Sequence, residues 1–482
     1  MKRALLSVTD RTGIVEFAYG LKELGYRIVA SGGTALALRQ AELDIEEVKD
    51  RRALMQPSVL EGVELVAVTL YPLAAATADR EMSQDEALDY VDVHGSALLR
   101  TAARSFKSII PLCDPADYQS VLDSLRQYDR VHPDKRQSLA AKAFHYCAYY
   151  DTTVAQFLGG KWERLPDELA MGLKKSADLR YGENPQQQAA LYSLSGARPW
   201  GLNAADLLYG KPLSYNHYLD LETAWGLATE LADPACAIVK HATPAGVAVS
   251  DKLAEAARLA YRCDPRGCFR GTAAVNREVE EDAALFFAEE YVQCIAAPEF
   301  SAKALDVLKV KKDIRLVRLP STLIAADELD FKAVAGGVLV QDRDNRPMDG
   351  RARVVTRRPP TEIEQKSLRL AWSTAKHAKT HAAVITRGNH TIGIGSGQTS
   401  RLDAVRLALV KSQERHPILP AGLPMVLASD GALSAEHVME AAKAGISAVM
   451  QPGGTSDDRD AVEAADAKQV AMVFTGTRHF RH

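Results

Sequence analysis

The sequence is poor in the features that mark several large protein classes. None of its 482 residues belongs to a run of 18 or more apolar residues, so it offers no candidate membrane span. Cysteine is scarce: Cys113, Cys147, Cys236, Cys263, Cys268 and Cys294 form no CxxC pair, and no histidine cluster has zinc spacing. A reducing cytoplasm without a structural metal is the simplest account. There is no basic excess, with 59 Lys+Arg against 62 Asp+Glu and a formal net charge of −3. Counterion release therefore has nothing to drive nucleic-acid binding, and a small molecule or a protein is the expected partner. Low-complexity tracts and short repeats are absent. Met1–Val8 carries two charges, then a short apolar run that turns polar at Thr9-Asp10-Arg11. That pattern predicts a first strand and not a signal peptide.

What is present is a globular composition, 47% hydrophobic and 25% charged. The length suits two to four domains. Short β-like runs alternate with helical stretches over residues 1–160: Arg3–Val8, Arg27–Ala30, Leu65–Leu70 and Ser108–Leu112 read as strands, with helices between. This predicts a parallel sheet flanked by helices. Lys161–Pro166 reads as a linker. Residues 159–200 are richer in Gly, Pro and polar groups, and from about residue 200 onward helices alternate with strand-like runs at Cys236–Val239, Ala335–Val340, Ala382–Thr386, Met425–Ala428, Ala448–Gln451 and Val470–Phe474, a region long enough for two subdomains.

Six segments could carry chemistry. Ser31-Gly32-Gly33-Thr34-Ala35 lies between a strand and a helix, where small residues and a helix N-terminus favour an anion. Ser7 to Gly13, with Arg11, follows the first strand in the same way. Two such loops would face one crevice at the strand C-termini. Lys240-His241, at the end of a buried strand, pairs a cation with an imidazole suited to proton transfer near neutral pH; taken alone it reads more readily as a surface Lys beside a capping His. Arg180-Tyr181-Gly182-Glu183-Asn184 is either a phosphate-holding turn or a hydrogen-bonded interdomain turn. Gly393-Ile394-Gly395-Ser396-Gly397-Gln398, ending in Arg401, is either an anion-facing loop or a plain turn. The end of the chain, Arg478-His479-Phe480-Arg481-His482, is a frayed basic tail or a docked site element.

Taken in order, these segments with LYPL (70–73), YVDVHGSALLRTAARS (90–105), GGVLVQDRD (336–344) and QPGG (451–454) resemble the bifunctional AICAR transformylase/IMP cyclohydrolase family over essentially the whole chain. The resemblance implies an α/β fold: a methylglyoxal-synthase-like domain over 1–160, then a region of two cytidine-deaminase-like lobes over 161–482. It implies a homodimer with shared sites, a ribonucleotide substrate and 10-formyltetrahydrofolate as co-substrate. Matched position by position, Lys240 and His241 are the transformylase pair, with His241 taking a proton from the attacking amine and Lys240 stabilising the tetrahedral intermediate. Arg180, Tyr181, Asn184, Gly246, Gln398, Arg401, Arg478 and Phe480 match substrate-binding positions. Ser7, Arg11, Ser31, Gly32, Gly33, Thr34, Tyr71, Asp92 and Arg104 fall at the cyclohydrolase-like site.

The chain also departs from the family pattern. A Gly-Arg-Val-Lys-Thr-Leu-His-Pro-type segment has no counterpart between Asp50-Arg51-Arg52 and Tyr71. A family Lys is Arg104, which does not readily shuttle a proton. The family's catalytic Asn is His381, which could restore acid–base capacity beside His241 or simply replace the Asn as a hydrogen-bonding group. Phe269-Arg270-Gly271 stands for Phe-Gly-Gly, and Ser429 to His437 lacks the aromatic wall and the folate-binding Asp. The expectation is formyl transfer to AICAR or a similar ribonucleotide with weakened or lost cyclohydrolase activity. The alternatives are a folate-independent reaction on a related nucleotide and a catalytically silent nucleotide-binding protein.

Overall fold

Leu5 and Leu6 are neighbours in the first strand and face opposite ways, each into its own core. That alternation, set by the period of two along a strand, requires cover on both faces of the sheet. The structure, a computed structural model, describes residues 2–49, 53–54, 60–73, 84–159, 164–195, 200–319, 329–346, 352–415 and 422–482. Asp50, Arg51, Arg52 and linker residues 161–163 lie outside the described residues.

The chain divides into two compact units, Met1–Ser176 with Tyr192–Pro199, and Ala177–Leu191 with Trp200–His482. The first holds a parallel sheet in the order β3-β2-β1-β4-β5: β1 Arg3–Val8, β2 Arg27–Ser31, β3 Glu46–Val48, β4 Val63–Thr69 and β5 Ile110–Leu112. Helices α1 Ile14–Glu23, α2 Gly32–Gln40, α3 Val93–Arg104, α4 Tyr118–Tyr128 and α5 Pro133–Gly159 accompany it. Phe17, Leu21, Leu122 and Leu125 share one core with Leu6; Leu98, Leu99 and Cys147 share the other with Leu5. Successive crossovers leave β1 in opposite directions, so a crevice opens at its C-terminal end. A hairpin follows, β6 Leu173–Leu179 and β7 Ala189–Leu194.

The second unit is built around a twelve-stranded sheet with a doubled plan. One lobe runs β8 Asp206–Tyr209, α6 Tyr215–Glu230, β9 Ala235–Lys240, β10 Thr243–Val249, α7 Leu253–Cys263, β11 Thr272–Val275, α8 Glu281–Glu289, β12 Cys294–Ala297, α9 Ala302–Leu308 and β13 Arg315–Arg318. Between the lobes stands the hairpin β14 Leu329–Val334 and β15 Gly337–Asp342. The second lobe repeats the first: β16 Arg353–Val354, α10 Glu362–Lys376, β17 Ala383–Arg387, β18 His390–Gly395, α11 Arg401–Arg415, β19 Met425–Ser429, α12 Ala435–Lys443, β20 Ile446–Gln451, α13 Asp458–Ala467 and β21 Ala471–Phe474. The order β16-β21-β20-β19-β17-β18-β10-β9-β11-β12-β13-β8 reads the same way outward from its centre, where β10 and β18 pair antiparallel. Trp225 on α6 and Trp372 on α10, both buried, occupy matching places. This is the two-lobed arrangement the resemblance implies.

Two expectations are corrected here. The strand-like run Ala335–Val340 is shifted: Ala335-Gly336 is the turn of the β14–β15 hairpin, β15 begins at Gly337, and Val338 and Leu339 are exposed. Gly246, Gly393 and Gly395 are not loop glycines facing a ligand. They lie within β10 and β18, where a helix rests directly on the strand. A Cβ on Gly246 would stand 1.9 Å from the Ala260 carbonyl oxygen of α7. One on Gly393 or Gly395 would stand 2.1 Å or 2.0 Å from the Ala408 or Ala404 oxygen of α11. The obstacle is backbone, which no rotamer change relieves. Gly246→Ala is expected to cost about 2–3 kcal/mol by forcing α7 off the strand. An unchanged thermal transition would overturn that reading.

Candidate functional site

In the first unit, a cavity of about 290 Å³ lies at the C-terminal ends of β1, β2 and β3, lined by Ser7, Val8, Thr9, Arg11, Ser31, Gly32, Gly33, Thr34 and Lys49. The structure thus brings together Ser7, Arg11 and the 31–34 loop. The expected hydroxyl donors serve another purpose. Ser7 and Ser31 bond each other at 2.9 Å, and Thr34 Oγ1 accepts from the Val8 N–H (2.8 Å) and donates to its carbonyl (2.9 Å). These bonds fasten α2 to β1. What the loop aims at the cavity is the first turn of α2, whose N–H groups have no intrahelical partner. Gly32 sits at φ +53, which opens that turn.

Lys49 was not foreseen. It directly follows β3, so it stands at the same strand-end edge as the two loops, and that position was the available signal. Tyr71 and Asp92 do not line the cavity. Tyr71 stacks on Tyr90 at 5.1 Å, and Asp92 caps α3 by accepting from the Gly95 N–H at 2.8 Å. Arg104 does not line the cavity either; it ends the helix that Asp92 caps, about 18 Å away along the axis.

In the second unit, backbone strain marks an edge. Non-glycine residues at positive φ are uncommon and cluster at functional sites. Among the described residues, Glu42, Asp129 and Gln469 follow helix ends, where such angles are routine. The others, His241, Ala242, Arg270 and His381, all lie along one edge of the large sheet. His241-Ala242 forms the two-residue turn between β9 and β10, and positive φ at both positions is what such a turn demands. The Ala242 N–H donates to Asp220 Oδ1 at 2.7 Å, pinning the turn to α6. Burial raises the Asp220 carboxyl, offset in part by that bond and by His241 and Lys240. Asp220 was also missed, since nothing in the sequence separates it from other helix acids. The Lys240 ammonium donates to the Phe269 carbonyl at 2.7 Å.

Further along the edge stands a second cluster. His381 Nδ1 lies 2.9 Å from the Gln398 carbonyl, which orients the ring. Asp430, fully buried, accepts from Arg401 Nη1 (2.6 Å), Thr380 Oγ1 (2.8 Å) and the Ala382 N–H (3.0 Å). The Phe480 ring has the Arg478 guanidinium at 4.3 Å and that of Arg401 at 5.7 Å. The chain end is docked: the Thr380 N–H donates to the Arg481 carbonyl, Arg481 Nη2 bonds Thr223, and the buried His479 meets Asp344 at 2.6 Å. Burial, then Arg481 and Lys332, lower the Lys379 ammonium. Such a cationic setting favours an anionic ligand.

The structure does not place His381 beside His241. Strands β10 and β18 stand between their strands, so three inter-strand spacings separate them, about 14 Å. Arg180, Tyr181 and Asn184 form a separate turn. The Arg180 guanidinium lies 5.5 Å from the Tyr181 ring, Asn184 is held by Gln187, and Asn216 of α6 donates to the Glu183 carbonyl. Among the described residues, no hydrogen bond or ion pair joins that turn to Lys240, His241 or Arg401. No group of three or more His, Cys, Asp and Glu among the described residues could hold a metal, and no helix there is long and apolar enough to cross a membrane.

The profile of the AICARFT/IMPCHase bienzyme family matches residues 102–411, and that of the MGS-like domain matches residues 13–96. The chain is 42% identical to the bifunctional purine biosynthesis protein PurH of Chloroflexus aurantiacus, covering 100% of this chain and 98% of that one. It is 37% identical to the protein of the same name from Persephonella marina, with both chains covered in full. Those alignments run to 521 and 519 positions against 482 residues here, so the relatives carry internal segments that this chain lacks.

Proposed function

The chain belongs to the AICARFT/IMPCHase bienzyme family, and from that premise we propose that it transfers a formyl group from 10-formyltetrahydrofolate to the amine of AICAR or a close analogue, with cyclohydrolase activity weakened or lost. The observation that carries the transformylase half is the Lys240-His241 pair, set at the β9–β10 turn whose residues His241 and Ala242 hold positive φ, and braced by Asp220 and the Phe269 carbonyl. In this reading His241 takes the proton from the 5-amino group as its nitrogen attacks the formyl carbon. Lys240 stabilises the oxyanion of the tetrahedral intermediate. Collapse breaks the bond to the folate nitrogen, which leaves with a proton as tetrahydrofolate. Arg180, Tyr181, Arg401, Arg478 and Phe480 bind the nucleotide. The separation of His381 from His241 supports a homodimer in which a second copy completes each site, and the purine pathway points to the cytoplasm.

Support for a weakened cyclohydrolase comes from the first unit. Its phosphate cradle is formed, but Tyr71 and Asp92 are engaged in stacking and capping, and Arg104 sits at the far end of its helix. We expect formyl-AICAR to accumulate when the protein is given AICAR and 10-formyltetrahydrofolate, with tetrahydrofolate released in step and IMP forming only at the uncatalysed rate. Chromatography that resolves the three products checks this. IMP appearing without a formyl-AICAR lag would show an intact cyclohydrolase. A folate-independent reaction is the second reading, favoured by Ala432, Leu433 and Ala435 where the family pattern has aromatics. Nucleotide turnover without tetrahydrofolate release would select it.

A further inference from the structure

Beside the Lys240 ammonium stands an arrangement that formyl transfer as described leaves unused. Phe269 and Tyr291 stack at 5.1 Å, yet they remain 46% and 38% exposed. The Arg270 guanidinium lies 5.8 Å from the first ring and 5.6 Å from the second, and Lys311 Nζ lies 5.9 Å from the second. Arg270 holds φ +58, a conformation that a side-chain-bearing residue adopts only at a cost, and its N–H donates to the Tyr291 carbonyl at 2.8 Å. The carbonyl that receives Lys240 Nζ belongs to the peptide joining Phe269 to Arg270. Asp220 lies close to Lys240 and His241. Among the described residues no carboxylate pairs with Arg270.

A long cation kept on strained backbone, laid against two exposed rings and lacking a protein counter-charge, is arranged for an anion from outside. We propose that Arg270 is a specificity-determining residue that pairs with an anionic group, carboxylate or phosphate, of the formyl donor bound beside Lys240. This rests on the transformylase reading above. In that reading the nucleotide's single phosphate is held by other arginines, so the partner of Arg270 comes from the second reactant. A carboxylate would belong to a folate tail, and a phosphate to an acyl phosphate.

Calorimetric titration of the full chain with two probes, 5-formyltetrahydrofolate for the carboxylate and inorganic phosphate for the phosphate, tests this on wild type, Arg270→Gly and Arg270→Lys. The affinity of the probe that wild type binds is expected to fall about tenfold or more in Arg270→Gly, as for loss of a charge-assisted hydrogen bond, and about threefold in Arg270→Lys. Which probe responds identifies the donor's anion. Glycine suits the positive φ, so the thermal midpoint of Arg270→Gly should equal or exceed that of wild type, which removes unfolding as an explanation. Equal binding of both probes by wild type and Arg270→Gly would overturn the proposal, as would a wild type that binds neither. AICAR titrated into the same samples reports separately on the underlying reading: failure to bind it would sink the transformylase assignment without altering the Arg270 comparison.

Discussion

His241→Asn is expected to lower the rate constant of formyl transfer by about 10²–10⁴-fold, the span a positioned general base contributes, while leaving the fold intact. Asparagine is chosen for the backbone. Position 241 sits at φ +55, and Asn tolerates that region better than Ala while keeping a polar side chain. The Ala242 N–H would keep its bond to Asp220, so the turn between β9 and β10 would hold. What the variant loses is a group able to accept the amine proton near neutral pH. The KM for the nucleotide should therefore change far less than kcat. Steady-state kinetics with melting curves check both halves. Unaltered kcat would remove His241 from the chemistry. A collapsed melting transition would instead assign the residue a structural role.

The sequence told one kind of fact well and another poorly. Apolar runs marked β1, β2, β4, β9, β19 and β20 because a strand buried on both faces has little choice of residue. The 31–34 loop was legible because strand, small residues and helix follow in one short stretch. Gly246 and Gly395 were misread. A glycine that lets a helix touch a strand looks the same in sequence as one that lets a phosphate touch a backbone. The start of Ala335–Val340 was misplaced because an apolar run says that a strand forms and not where its turn falls. The distance between His241 and His381 could not be read at all, since it depends on which strands come between, and that order follows from the doubling of the lobe. Lys49 shows the converse: its place was implied once β3 was assigned, but a three-residue strand with two glutamates carries almost no periodic signal.

Asp430→Ala should destabilise the second unit by about 3–5 kcal/mol, the cost of removing one partner from a buried ion pair. Asp430 has no solvent exposure, and the Arg401 side chain that donates to it is 9% exposed. The alanine would leave that guanidinium buried without a counter-charge. It would also orphan the Ala382 N–H and the Thr380 hydroxyl, which hold the approach to β17. The damage should reach the site. Arg401 stands against Phe480, the His479 N–H donates to the Asp430 carbonyl, and His381 lies one residue from each of the donors at 380 and 382. Nucleotide affinity is thus expected to fall along with stability. The double change Asp430→Ala with Arg401→Met separates the two effects. Removing both charges should restore much of the stability, because a buried pair exchanged for apolar groups is often tolerated, but it should not restore nucleotide binding if Arg401 contacts the ligand. Calorimetric melting with an AICAR titration on each variant reads both quantities. If Asp430→Ala melted within about 1 kcal/mol of wild type, a fraction of that cost, the network would not hold this edge together, and the docked chain end would owe its position to Arg481 and the His479–Asp344 contact instead.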